Sequence, residues 1–299
     1  MTNLYDRIIK CGIYLLVFLM PLWVFPFSFE QFEFGKQYLL YFLSSIAFLA
    51  WLGKMIIVDK KIRFKKTLLD IPILIFVLIA ILSAIFSIDR HSSVFGFYGR
   101  FSDGLIALIS CAMLYFVITN NVSNKEQETS IKQESIVKIF LSSSFLVVLT
   151  TYFSLFGIWQ KVNNSLTTLN PNFSLPEIIL EKGFNPAAKS MQGLAIFLTL
   201  VVVFLVTTIL LSEKRGKEKL SSSRNLASKA LLIAAVGLML IIDFGSAWVM
   251  LLLTLSIFVA FALRKRLFKK DFSITCAIKI GLIIYTKNSL LLLLFFLHP

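Results

Sequence analysis

The chain has 299 residues, 58% of them hydrophobic and only 15% charged, with thirty Phe and a formal net charge of +14. Globular domains carry roughly 45–50% apolar and about 25% charged residues, so this composition excludes an ordinary soluble domain and reads as a polytopic membrane protein. The positive balance sits beside apolar runs rather than on a basic surface with interleaved aromatics, which excludes nucleic acid as the partner and points to topology and anionic lipid headgroups.

A helical span needs roughly 20 apolar residues, and nine candidates follow one another along the chain. They lie at 11–28, 37–57, 68–88, 104–120, 136–158, 190–211, 230–242, 245–263 and 274–297, giving an all-α integral membrane helical bundle in one transmembrane domain, 1–299. The first run continues through Pro21 and Pro26 without a small-residue cleavage site, so it is expected as a retained span rather than a signal peptide. Between the second and third runs stand Lys60, Lys61, Arg63, Lys65 and Lys66. Between the sixth and seventh stand Lys214, Arg215, Lys217, Lys219, Arg224 and Lys229, and after the eighth Arg264, Lys265, Arg266, Lys269 and Lys270. Sixteen of the thirty basic residues thus follow every second run, and the positive-inside rule then places the N-terminus in the cytoplasm. The opposite connections carry six basic against seven acidic residues.

The stretch 121–135 is polar and charge-balanced and is expected as a solvated linker. The long outer connection 159–189 has room for a short interfacial helix around Pro176 to Lys182, and Asp243-Phe244-Gly245-Ser246 reads as a tight outer turn. Cys11, Cys111 and Cys276 all fall within spans, far apart, so neither a disulfide framework nor a metal site is indicated. Nucleotide-loop, zincin and nucleophile-elbow motifs are absent, and no cofactor is implied.

Polar residues unusual for their depth gather at three outer span entrances. Phe32-Glu33-Phe34-Gly35-Lys36-Gln37 leads into the second span, the segment from Ser87 to Gly104 joins the third to the fourth, and Gly183-Phe184-Asn185-Pro186 leads into the sixth. In the middle group Gly96, Gly99 and Gly104 permit tight turns while Asp89, Arg90, Arg100 and Asp103 bring charge to the interface. Arg forms bidentate contacts with phosphate, so such a loop could hold a lipid diphosphate. The plainer reading of the same residues is that Arg90 and Arg100 pair with Asp89 and Asp103 or snorkel to headgroups. Glu33 with Asp103 is the one carboxylate pair considered for acid–base work, and His91 the one histidine considered as a base.

Taken in order, the three groups resemble the first part of the O-antigen ligase and polymerase family over most of residues 15–263. Those bacterial membrane proteins use undecaprenyl-diphosphate-linked glycans in lipopolysaccharide and other envelope polysaccharide assembly. The resemblance implies a multi-pass protein of the cytoplasmic (inner) membrane and an inverting, metal-independent glycosyl transfer at the outer leaflet. It further implies an outer cavity lined by Lys36, Arg90, Arg100, Asp103 and Asn185, with Lys36 and the two Arg on the diphosphate.

Two departures stand out. The family's late outer loop with its His and Arg has no counterpart here, since His91 and His298 match neither position, and the Asp243 to Trp248 turn lacks the Arg the family places there. No catalytic residue is therefore assigned, and the expectation is a binding platform that transfers no glycan by itself. A non-enzymatic carrier of lipid-linked sugars, or a scaffold, is the competing reading.

Overall fold

The computed structural model describes residues 2–25, 32–59, 65, 67–97, 101–123, 131–169, 174–214 and 222–267. They are almost entirely helical: α1 (Thr2–Leu19), α2 (Glu33–Gly53) running on as a π turn (Lys54–Asp59), α3 (Asp70–Ile85), α4 (Arg90–Phe95), a 3-10 turn (Phe101–Asp103) and α5 (Leu105–Asn121). There follow β1 (Val122–Ser123), β2 (Ile131–Lys132), α6 (Gln133–Leu155), α7 (Ile158–Leu169), α8 (Glu177–Leu180), α9 (Met191–Lys214), α10 (Ser222–Ile242) and α11 (Gly245–Leu267). The two-residue strands pair in parallel and are the only sheet among the described residues.

Among the described residues three helices are long and apolar enough to cross a membrane, namely α2 with its π turn, α6 and α9, and four shorter apolar helices lie at 70–85, 105–121, 226–242 and 245–257. The surface agrees with a lipid environment. Helix α3 exposes Ile71, Leu74, Ile75, Phe76, Leu78, Ile79, Leu82 and Ile85 around most of its circumference and buries Ala84 alone, which water would penalise and acyl chains do not. The ninth apolar run, 274–297, lies outside the described residues.

Helix boundaries follow the apolar runs closely except at the first and at α10, which begins at Ser222, eight residues before its run. Helix α1 begins at Thr2, nine residues before its run, and ends at Leu19, ahead of Pro21, which has no N–H to continue it. Its polar start is held by a pair: Lys54 Nζ donates to Asp6 Oδ1 at 2.6 Å, and both side chains are largely buried.

The described residues gather in two compact units, one to residue 143 and one from 144, with α6 contributing to each. In the first, α2 packs on both α1 and α5. Ile9, Ile13, Ala47, Trp51, Met55, Val117 and Ile131 form its core, and Gly12 and Ala47 let α1 and α2 approach closely. Ile131 takes part although the stretch around it had the polarity of a linker, because one apolar side chain suffices to draw β2 onto the cluster. In the second unit α9 packs against α10 and α11. Leu194, Leu198, Val201, Val202 and Leu205 recur at helical spacing on its buried face. Tyr152 Oη donates to the carbonyl of Ala234 at 3.0 Å, tying α6 to α10. Where a short interfacial helix was expected at 176–182, the chain makes the single turn α8.

Candidate functional site

The first turn of α2 carries Lys36 and Gln37 side by side, and both are buried, Gln37 to 1% exposure. Helical phase places Gln37 on the same inward stripe as Leu40, Ser44, Ala47 and Trp51, so its amide points into the bundle. Neither its nitrogen nor its oxygen has a hydrogen-bond partner among the described residues. Lys36 stands over the Phe32 ring, 6.0 Å from Nζ to centroid, with Glu33 as the opposite charge acting on it. Gly35 makes room for this arrangement, since Trp23 and Phe25 of the preceding connection close within 3.0 Å of where a Cβ would stand.

Against α2 packs the 3-10 turn Phe101–Asp103, which also contacts α4 and α5. Asp89 begins α4 as its N-cap: its carboxylate accepts from the backbone N–H of Ser92 at 3.2 Å and from the Ser92 hydroxyl. These bonds hold the Asp89 carboxyl below the usual carboxylate range. Gly96 ends α4 with φ +86°, and the chain then returns so closely that a Cβ on Gly104 would lie 2.6 Å from the Gly96 nitrogen. Only a residue without a side chain fits there. Helix α4 is therefore a capped helical turn against which Gly104 closes at Gly96.

Of the residues expected at the site, Lys36 is buried at the start of α2, Asp103 is exposed on the 3-10 turn that packs on α2, and Arg90 is exposed on α4, which packs on α3, α5 and the 3-10 turn. Arg90 has no ion-pair partner among the described residues, and Asp89, to which the plainer reading assigned it, is engaged with Ser92. Asp103 accepts from Ser102 Oγ at 3.3 Å. Arg100 lies outside the described residues. His91 is exposed and lies against the Phe95 ring at 5.0 Å, one helical turn on.

Asn185 belongs to the second unit and has a structural task there. It is 2% exposed, and its Oδ1 accepts from the backbone N–H of Ala188 at 2.9 Å, shaping the turn that leads into α9. The same connection is pinned by Ser154, whose hydroxyl donates to the carbonyl of Glu181 and accepts from the N–H of Gly183.

Gln37 is the residue that motif reading passed over, although an amide inside an apolar window next to a lysine was a visible signal. No group of three or more His, Cys, Asp or Glu gathers among the described residues to hold a metal. No family model, curated protein or solved structure matches the chain.

Proposed function

We propose that the protein binds polyprenyl-diphosphate-linked glycans at the outer leaflet of a bacterial cytoplasmic membrane, as the O-antigen ligase and polymerase proteins that its motifs resemble do. Lys36 and Arg90, with Arg100 from the sequence, hold the diphosphate, and Asp103 stands at its edge. The observation that carries the reading is the burial of Lys36 beside the unbonded amide of Gln37. A buried amide left unbonded costs about 1–3 kcal/mol per group. A sugar or phosphate oxygen beside Gln37 relieves that cost, and Lys36 next to it supplies positive charge for the same anion. Arg90, exposed and unpaired, adds a planar fork suited to the same anion.

The test is binding of undecaprenyl diphosphate to the full chain in nanodiscs, against undecaprenol as the uncharged control. Lys36→Met and Arg100→Ala are each expected to weaken diphosphate binding by about 10- to 150-fold, the equivalent of roughly 1.5–3 kcal/mol for a hydrogen bond to a charged group. Arg100→Lys recovers part of the loss, because a point charge cannot reproduce the fork. Gln37→Met raises the melting temperature of the ligand-free protein while weakening binding. Equal affinity for the alcohol and the diphosphate, or unchanged binding in Lys36→Met, overturns the reading.

One observation favours the carrier alternative. The Asp6–Lys54 pair is buried where α2 turns into its π segment, and the second oxygen of Asp6 is buried with no hydrogen-bond partner among the described residues. Charges inside membrane spans mark transport paths in many membrane proteins; this pair lies at the start of α1 and the end of α2, and diphosphate-lipid flux into proteoliposomes, lost in Asp6→Asn but not in Lys36→Met, selects that alternative.

A further inference from the structure

Helix α7 is amphipathic in a way no hydropathy window registers. At about 100° per residue, Ile158, Trp159, Val162, Leu166 and Leu169 fall within an arc of about 100°. The remaining residues, Gln160, Lys161, Asn163, Asn164, Ser165, Thr167 and Thr168, occupy the rest of the circumference.

The attachment of α7 to α6 tells which way that stripe faces. Gly157, at φ +66°, breaks the direction of the chain immediately after α6. Trp159 then folds back along α6: its indole N–H donates to the carbonyl of Thr150 at 3.3 Å, and its ring meets Phe153 edge-on with centroids 5.8 Å apart. Thr150 lies about 7.5 Å short of the end of α6 at 1.5 Å per residue, so the indole reaches back beside the span. Helix α6, 23 residues long, measures about 34 Å against a hydrocarbon layer of about 30 Å, which places its end and Trp159 at the headgroup boundary. Trp is the residue favoured at that depth.

The polar flank is spoken for. Asn163 Oδ1 accepts from the N–H of Leu175 at 2.8 Å, and Gln160 Nε2 donates to the carbonyl of Leu180 at 3.1 Å, so the returning chain lies along that side. On the apolar side Val162 is 39% and Leu169 83% exposed, while Ile158, Trp159 and Leu166 are half-buried.

The geometry points to α7 as an in-plane helix seated on lipid, its apolar stripe sunk into the headgroup–acyl boundary beside the end of α6. The occupant of the stripe is the bilayer surface rather than a protein. The stripe is continuous, through Trp159 and Phe153, with the flank of a helix that itself crosses the membrane. Its one charged residue is Lys161, which lies off the stripe and suits anionic headgroups. Through Ser154 and the 174–183 segment this ledge fixes the height of the connection that enters α9. The inference is independent of the substrate proposal.

The test uses the full chain, with its native cysteines replaced, reconstituted in vesicles of phosphatidylcholine and phosphatidylglycerol. Single cysteines at Val162, Leu169, Asn164 and Thr168 carry an environment-sensitive fluorophore. Quenching by lipids with shallow spin labels is expected to be at least twofold stronger at Val162 and Leu169 than at Asn164 and Thr168, with aqueous iodide giving the reverse order. Iodide quenching of the stripe positions equal to that of the polar positions puts the helix in water and overturns the proposal. Protection of the stripe from both quenchers means that protein covers it, and overturns it equally.

Discussion

Asp89 shows how one carboxylate organises a loop. Its bonds from the Ser92 backbone and hydroxyl fix the start of α4 and depress its pKa. The capping contribution is therefore complete above the unfolded carboxylate value of about 3.9 and is lost as pH falls through the lower folded value. Melting temperature followed from about pH 6 to about pH 3 should decline more steeply in the wild type than in Asp89→Asn, which keeps an acceptor without a titrating charge. Parallel curves would remove Asp89 from the account. The cap was legible as Asp followed three residues later by Ser, a pattern weighed at first only for its charges. Lys36 was legible because a lysine at the head of an apolar run is conspicuous. Asn185 drew notice at the entrance to another apolar run, and its Oδ1 shapes the local turn by accepting from Ala188, a task the sequence did not reveal.

Among elements, the long apolar helices were the easiest to read, since hydropathy alone sets where a segment of about 20 residues can lie. Helix α1 departs from its run because tertiary pairing overrides local polarity: Asp6 finds Lys54, and the polar first turns become affordable inside the bundle. Helix α7 escaped because averaging over a window erases the angular order that defines it. The Asp6–Lys54 pair permits a sharp test. Breaking one partner leaves a buried charge and should cost about 3–5 kcal/mol, whereas an apolar pair of similar volume is often neutral. Asp6→Leu and Lys54→Met are each expected to lower the melting temperature of the detergent-solubilised protein, and the double variant to regain most of the loss. Additive losses would show that the two side chains act separately.

For the whole molecule, the expected orientation rests on the distribution of basic residues along the chain. Cysteines placed at Lys61, Lys217 and Lys265 should resist a membrane-impermeant thiol reagent in intact cells, because translocating those basic clusters is disfavoured. A cysteine at Asn164, exposed on the polar side of α7, should react, and the opposite labelling pattern reverses the topology. The division into two compact units was not legible, since both are built from the same apolar alphabet and only packing partners distinguish them. The π turn at Lys54–Asp59 has a mechanical corollary for this architecture. A π turn closes its hydrogen bonds one residue further along than an α turn, in a wider ring, so α2 stores slack at one end. Deleting Ile57 lets the segment relax into ordinary α geometry and should leave the protein folded, with a melting temperature within a few degrees of the wild type. Deleting Ser45 has no such reserve to draw on: it rotates Gln37 and Leu40 by about 100° relative to Ala47 and Trp51 and should abolish stable insertion. Length changes along this helix are therefore absorbed beside the charged connection and refused everywhere between it and Lys36.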